Sequence, residues 1–302
     1  MSSDVSDEHK PNSLPVSIQT PESGLRHPVR LARDICEDLW VGRELAWRMF
    51  LRNIRGLYRQ TFLGLFWAFL PPLANTAVWV ILRGVNAIKV GDNLPPGVDP
   101  DHFSYAVYVV TGMVIWQSFI EALQAPLSAV QSNRNLLSKL KFPRESVLLV
   151  KLFEVLFNLG IRTIVLVGLL LLMPSAPFNA AMFWVIPLVM LLILLGFSIG
   201  LFLMPLGMLY QDVSRLIAVA LPVWMILTPI VYLPPANWSQ NPLNFLNPAS
   251  PLLSVSRDLL VFGSSEYWSN IWFFAGLTIP LLVVGMIVYR ISIPVLVERI
   301  ST

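Results

Sequence analysis

Four polar residues at helical spacing, Lys151, Glu154, Asn158 and Arg162, interrupt an otherwise apolar stretch at 147–172. On a helical wheel they fall within about 80° of one another and so share one face. Arg162 lies about fifteen residues inside the stretch, roughly 22 Å along the axis. An ion facing lipid at that depth would cost at least about 2.5 to 3.5 kcal/mol, so Arg162 must face protein or water. The preceding apolar stretch offers a matching face in Gln117, Glu121, Gln124 and Ser128, and Glu121 is expected to pair with Lys151. An interhelical ion-pair network and a hydrated intramembrane pathway both fit this pattern.

A second pattern is basic. Between 47 and 59, Trp47, Phe50, Leu51, Ile54 and Tyr58 form an apolar stripe, and Arg48, Arg52, Arg55 and Arg59 form another about 120° away. Such a helix lies in the membrane interface, where each base near an anionic leaflet contributes about 1 kcal/mol. It fits a site for lipid phosphate or a lipid-linked substrate, and equally an anchor that fixes topology. Aromatic residues are abundant, ten of them Trp. They suit sugar stacking along a conduit, but interfacial belts use the same residues.

Other chemistries lack their residues. There is no GxxxxGK[ST] run to cradle nucleotide phosphates, and no HExxH or CxxC. His9, His27 and His102 are scattered, and no paired acids sit on a cytoplasmic loop, so neither a metal nor an acid/base catalyst is expected. A net charge of +3 gives no reason to expect nucleic acid, and the lone Cys36 cannot form an intrachain bridge.

The elements that must position these residues follow from hydropathy. Of 302 residues, 55% are hydrophobic and only 13% charged, which excludes a soluble domain. A helix crosses the bilayer with about 20 mostly apolar residues. Charge-free runs predict six spans, near 62–82, 104–125, 147–172, 181–206, 216–233 and 268–289. The fifth is expected to break at the proline-rich stretch beginning with Pro234 and Pro235, and Pro71-Pro72 and Pro205 to kink or end helical turns. Lys and Arg cluster before the first span and between the second and third, which places both termini in the cytoplasm. Residues 1–35 read as a disordered cytoplasmic tail, 36–60 as the interface helix and 61–302 as the membrane domain of an all-α integral membrane protein.

Five blocks in order, RNIRGLYRQTFLGLFWAFLPPL at 52–73, SNRNLLSKLKFPRE at 132–145, YQDVSRL at 210–216, PIVY at 229–232 and LNPASPLLSVSRDLL at 246–260, resemble the membrane subunit of ABC-2 type polysaccharide exporters. The resemblance runs from about residue 36 to the end of the chain. It implies six spans with cytoplasmic ends, a homodimer in the bacterial inner membrane, and two copies of a separate ATPase subunit that carry ATP and Mg. No cofactor is expected in this chain.

Position by position, Asn133, Leu136, Lys139, Phe142, Pro143, Arg144 and Glu145 match the family's ATPase-coupling segment. Asp212 and Arg215 match a second cytoplasmic connection, where Asp212 is also placed to cap the fifth span. The stretch 236–266 resembles a pair of short re-entrant helices that close the periplasmic end of a channel, with Asn247, Pro248, Pro251, Arg257 and Asp258 matching there. Irregular backbone at membrane depth needs protein or water around it, which suits a pore lining. The expected cargo is a polyprenyl-pyrophosphate-linked glycan such as an O antigen or capsule, its pyrophosphate held by the stripe Arg48, Arg52, Arg55, Tyr58 and Arg59. An ABC-2 permease for a drug or lipid, a membrane-embedded transferase acting on lipid-linked sugars and a proton-driven transporter using Glu154 and Arg162 are the alternatives.

Overall fold

A computed structural model describes residues 28–59, 64–87, 94, 103–133, 143–171, 180–235, 237–268 and 271–301; these are entirely helix, turn and connecting segment. The helices are α1 (Pro28–Arg59), α2 (Leu70–Gly84), α3 (Tyr105–Ser132), α4 (Glu145–Leu171), α5 (Val185–Leu209), α6 (Gln211–Leu227), α7 (Pro242–Leu246), α8 (Ala249–Val261) and α9 (Ile271–Ser301). Short 3-10 turns at Gly64–Ala68 and Ala180–Trp184 lead towards α2 and into α5. Four segments are long and apolar enough to cross a bilayer: Tyr105–Ser132, Glu145–Leu171, Ala180–Leu209 and Ile271–Leu296. The chain is a multi-pass membrane protein.

The core is built on α3, which packs along α5, while α5 also carries α8 and α9 and α4 bridges α3 to α1. Close approach of α3 and α5 depends on small residues. A Cβ built on Gly196 would lie 2.8 Å from the Phe119 carbonyl oxygen, and one on Gly200 would run into the Leu123 carbonyl. Two glycines four residues apart on one helix face let backbones touch where hydrocarbon supplies no hydrophobic force between helices. Phe119, Leu123, Leu192, Leu195 and Leu201 fill the seam on either side.

The first and fifth expected spans are shorter than their charge-free runs. In the first, helix begins at Leu70 rather than near 62, and the two prolines fall at the start of α2, where missing N–H groups cost nothing. Pro71-Pro72 therefore start a helix and do not kink one. In the fifth, α6 stops at Leu227 instead of running to 233. Thr228 precedes Pro229 and takes φ −99°, ψ 132°, the extended geometry that a following proline imposes. Pro229, not Pro234 or Pro235, ends the helix. Pro205 lies inside α5, which continues to Leu209. The interface helix starts at Pro28, earlier than the expected boundary near 36, and residues 1–27 of the expected tail lie outside the described residues.

Candidate functional site

On α1 the two stripes separate as their spacing requires. Ala46, Met49 and Phe50 are buried against Val150 of α4, with Leu51, Ile54, Phe153 and Phe157 packed around them. Trp47 stays half exposed, its ring 5.1 Å from Phe50 and 5.8 Å from Phe153. Arg48, Arg52 and Arg55 point outward along a shallow groove that also includes Leu51 and Gly56. Arg48 is paired with Glu44 at 2.5 Å. Tyr58 and Arg59 continue the helix, but their side chains lie outside the described residues.

The polar face of α4 serves two neighbours. Towards α1, the Asn53 amide donates to Glu154 at 2.9 Å, and Lys151 pairs with the other Glu154 oxygen at 2.7 Å. Towards α3, both terminal nitrogens of Arg162 donate to the Glu121 carboxylate, one at 3.1 Å, and Asn158 donates to it at 3.3 Å. Arg162 is 2% exposed and also reaches Ser118 at 3.4 Å. The expected Glu121–Lys151 pair is therefore corrected. Lys151 is satisfied by Glu154 one turn away on its own helix, while the longer Arg162 reaches across to α3. Two forked donors and a carboxylate make the stronger, bidentate pair.

Among the described residues of 228–263, several buried polar side chains bond to one another and to backbone carbonyls. Asn247 stands in the connection between α7 and α8, where its Oδ1 accepts from Trp224 Nε1 at 2.8 Å and from the Ala249 backbone N–H at 3.2 Å. Its amide donates to Thr228 Oγ1 at 2.8 Å. Pro248 sits at the N-cap position of α8, and Pro251 is buried in the first turn. Ser250 donates to Asn244 at 2.8 Å and accepts from Trp238 Nε1 at 3.2 Å, stapling α7 to α8. Arg257 is fully buried: it pairs with Asp258 at 2.8 Å, donates to the Pro229 carbonyl that the end of α6 leaves free, and lies 4.0 Å over the Tyr108 ring. Asp258 also accepts from Ser265 at 3.2 Å. Gly263, at φ 76°, ends the helix in the left-handed geometry that suits glycine. Burial pushes the neighbouring Tyr267 phenol up to about 12, and the Asp258 carboxylate adds to that rise.

At the opposite end, three successive residues entering α4 are held by other helices. Tyr289 of α9 donates its hydroxyl to the Arg144 carbonyl at 2.8 Å. Arg290 lies between Asp38 of α1 at 2.9 Å and Glu145 at 3.5 Å. Ser146 is buried against Gly42 of α1, where an added Cβ would collide with its hydroxyl.

An ABC-2 type transporter family model matches residues 44–261, from the interface helix through α8. The chain belongs to the ABC-2 type transporter family. It is 25% identical over 68% of its length to the O-antigen export system permease protein RfbA of Myxococcus xanthus, covering 72% of that protein. It is 22% identical to the RfbA permease of Klebsiella pneumoniae over 79% of this chain and 88% of that one. The polysialic acid transport protein KpsM of Escherichia coli is 24% identical over 80% of this chain and 91% of its own.

As an ABC-2 permease the chain is a transporter membrane subunit, and membership implies an ATPase partner. Of the expected coupling residues, Asn133 is buried and its amide donates to the Ala129 carbonyl at 2.9 Å, closing α3. Pro143, Arg144 and Glu145 lead into α4, whereas Leu136, Lys139 and Phe142 lie outside the described residues. Asp212 and Arg215 make an exposed pair at 3.5 Å, and Asp212 is no cap: Tyr210 holds the N-cap position of α6 without a side-chain bond. Of the residues expected at a periplasmic gate, Asn247 and Arg257 both bond to the chain that follows α6, at Thr228 and at the Pro229 carbonyl. Residues 249–259 of α8 are all buried by the chain, whereas α7 turns Phe245 and Leu246 outward. Sequence reading missed Asn53, Ser118, Tyr108, Trp224, Thr228, Tyr289 and Arg290, because each acts through a partner far away in the chain.

Asn247→Ala removes three hydrogen bonds and leaves the Trp224 and Thr228 groups without it. A buried polar group left unmatched costs about 1 to 3 kcal/mol. The unfolding midpoint of the purified protein in detergent should fall accordingly, whereas Gln240→Ala, at an exposed position nearby, should move it by less than about 0.5 kcal/mol.

Proposed function

We propose that this chain is the membrane half of an ATP-driven exporter that moves a polyprenyl-pyrophosphate-linked polysaccharide across the bacterial cytoplasmic membrane. The observation that supports this reading is that relatives aligned along about four-fifths of the chain are, by name, an O-antigen export system permease and a polysialic acid transport protein. ATP and Mg belong to the partner ATPase, two copies of which join a homodimer of this chain. In this reading α2 and α6 are the two shorter crossings that complete six spans. They also supply the surface for the second copy. Burial within α2 is confined to Pro72 and Thr76 and within α6 to Leu221, which leaves Val78, Ile81, Leu216, Val219 and Val223 outward. Asn75, exposed halfway along α2, favours a protein neighbour over lipid.

The segment 132–145 docks on the ATPase, and its displacement on ATP closure opens the passage. The outward row Arg48, Arg52 and Arg55, continued by Tyr58 and Arg59, holds the pyrophosphate, since guanidinium groups bind phosphate oxygens bidentately. Deleting the gene should abolish surface polysaccharide, measured by immunoblot; intact polysaccharide with a changed drug or lipid profile would instead identify a permease for those cargoes. Arg55→Gln with Arg59→Gln should lower export about tenfold or more while membrane insertion is unchanged, the loss of a charge-assisted bond being about 1.5 to 3 kcal/mol. Unaltered surface glycan in that variant rejects the pyrophosphate site.

A further inference from the structure

Polar contacts join the entry of α4 to α9 and, through Arg290, to α1, alongside the core packing of Val147 and Leu148. Tyr289, fully buried, is bonded to the Arg144 carbonyl, and its neighbour Arg290 reaches Glu145 and, on α1, Asp38. Pro143 and Ser146 lie against Gly42, which has no side chain to separate α1 from α4. Arg144 and Glu145, at the exit of the 132–145 segment, are thus bonded to α9, and Pro143 and Ser146 pack against α1, two helices that contain no part of the segment. Hydrogen bonds and ion pairs of this kind give a load path with defined geometry, whereas apolar contacts alone could slide.

We propose that Tyr289 and Arg290 are positioning residues for energy coupling: they carry displacement of the 132–145 segment into α9 and, through Asp38, into the basic interface helix α1. This rests on the reading of 132–145 as the ATPase-docking segment. Movement of the segment would then shift α1, and with it the outward row Arg48, Arg52 and Arg55, in step with the ATPase cycle. Substrate phosphate held there would be engaged and released once per closure. Arg290 faces the opposite charges of Asp38 and Glu145.

The test uses the full complex of this chain with its ATPase in lipid nanodiscs, compared with and without ATP and vanadate by hydrogen–deuterium exchange. Trapping in the wild type should change protection in the 132–145 segment, in α1 from 38 to 55 and in α9 around 286–296. Tyr289→Phe, which removes one hydroxyl and keeps the ring, and Arg290→Gln should keep the response in the segment and lose it in α1 and α9. In cells the same variants should export about fivefold less polysaccharide per ATP hydrolysed, the scale of a typical intersite coupling. Arg290→Lys, which keeps the charge, should recover most of that ratio, a rescue that a merely structural loss would not produce. Responses in α1 and α9 that persist in both variants overturn the inference while sparing the docking assignment. A wild-type segment that does not respond overturns the docking assignment, and the inference with it.

Discussion

Glu121→Ala should destabilise the protein by about 3 kcal/mol, and Glu121→Ala combined with Arg162→Met should recover most of that loss. Removing one partner of a buried ion pair costs about 3 to 5 kcal/mol, because the remaining charge stays away from water, whereas replacing both by apolar groups is often neutral. The lower end applies because the Glu121 side chain keeps 23% of its exposure. Arg162 has no such outlet at 2% exposure, and snorkelling from the middle of α4 would require it to leave α3. The measurement is the unfolding midpoint of the four members of the cycle in detergent, with coupling taken as the departure from additivity. A hydrated pathway gives the opposite pattern: water would solvate the orphaned guanidinium, Glu121→Ala would be mild, and the second substitution would bring no recovery. The geometry favours the ion-pair network, since Glu121, Asn158 and Ser118 all converge on one another or on Arg162 across the α3–α4 seam.

The same pair shows what can be read without coordinates. Periodicity alone placed Lys151, Glu154, Asn158 and Arg162 on one face, and depth alone required Arg162 to face protein or water. Which residue faced Glu121 was not legible, because interhelical register depends on the packing of α3 against α4, and a polar face has several candidates within reach. The long helices α3, α4, α5 and α9 were legible because hydrocarbon thickness sets a minimum length for an apolar run. The ends of α2 and α6 were not, since apolar runs continue into 3-10 turn and extended chain, and only the proline positions mark the change. Pro229 forces extension before it but stands alone, five residues ahead of the more conspicuous Pro234-Pro235 pair. Asn247, Arg257 and Asp258 were singled out through family resemblance; their partners Thr228, Trp224, Tyr108 and the Pro229 carbonyl come from other segments and only the fold assembles them. Arg290 marked the end of a charge-free run, and nothing in its neighbourhood in the sequence suggested Asp38, far back on α1.

Gly200→Ala should have an effect out of proportion to one methyl group. The added Cβ would meet the Leu123 carbonyl and lie 2.9 Å from Pro126 Cδ, and neither a backbone carbonyl nor a proline ring can rotate aside. The helices must separate, and overpacking of this kind costs about 1 to 3 kcal/mol or more. Gly160→Ala and Gly168→Ala on α4 are the controls, because nothing lies within 4 Å of the Cβ at either position. There the better helix propensity of alanine, worth about 0.8 to 1 kcal/mol in water, should leave stability equal or raised. Unfolding midpoints that fall equally for all three would mean that glycine acts through helix propensity and not through close approach. The consequence for transport follows from what else α5 carries. Its other faces hold α8 and α9, so a change in α3–α5 spacing moves the helix bearing Arg257 and Asp258 relative to Tyr108 on α3. On the proposed polysaccharide-export function, Gly200→Ala should therefore lose export at temperatures where the protein is still folded, while Gly160→Ala retains it, and surface polysaccharide measured across a temperature series separates the two.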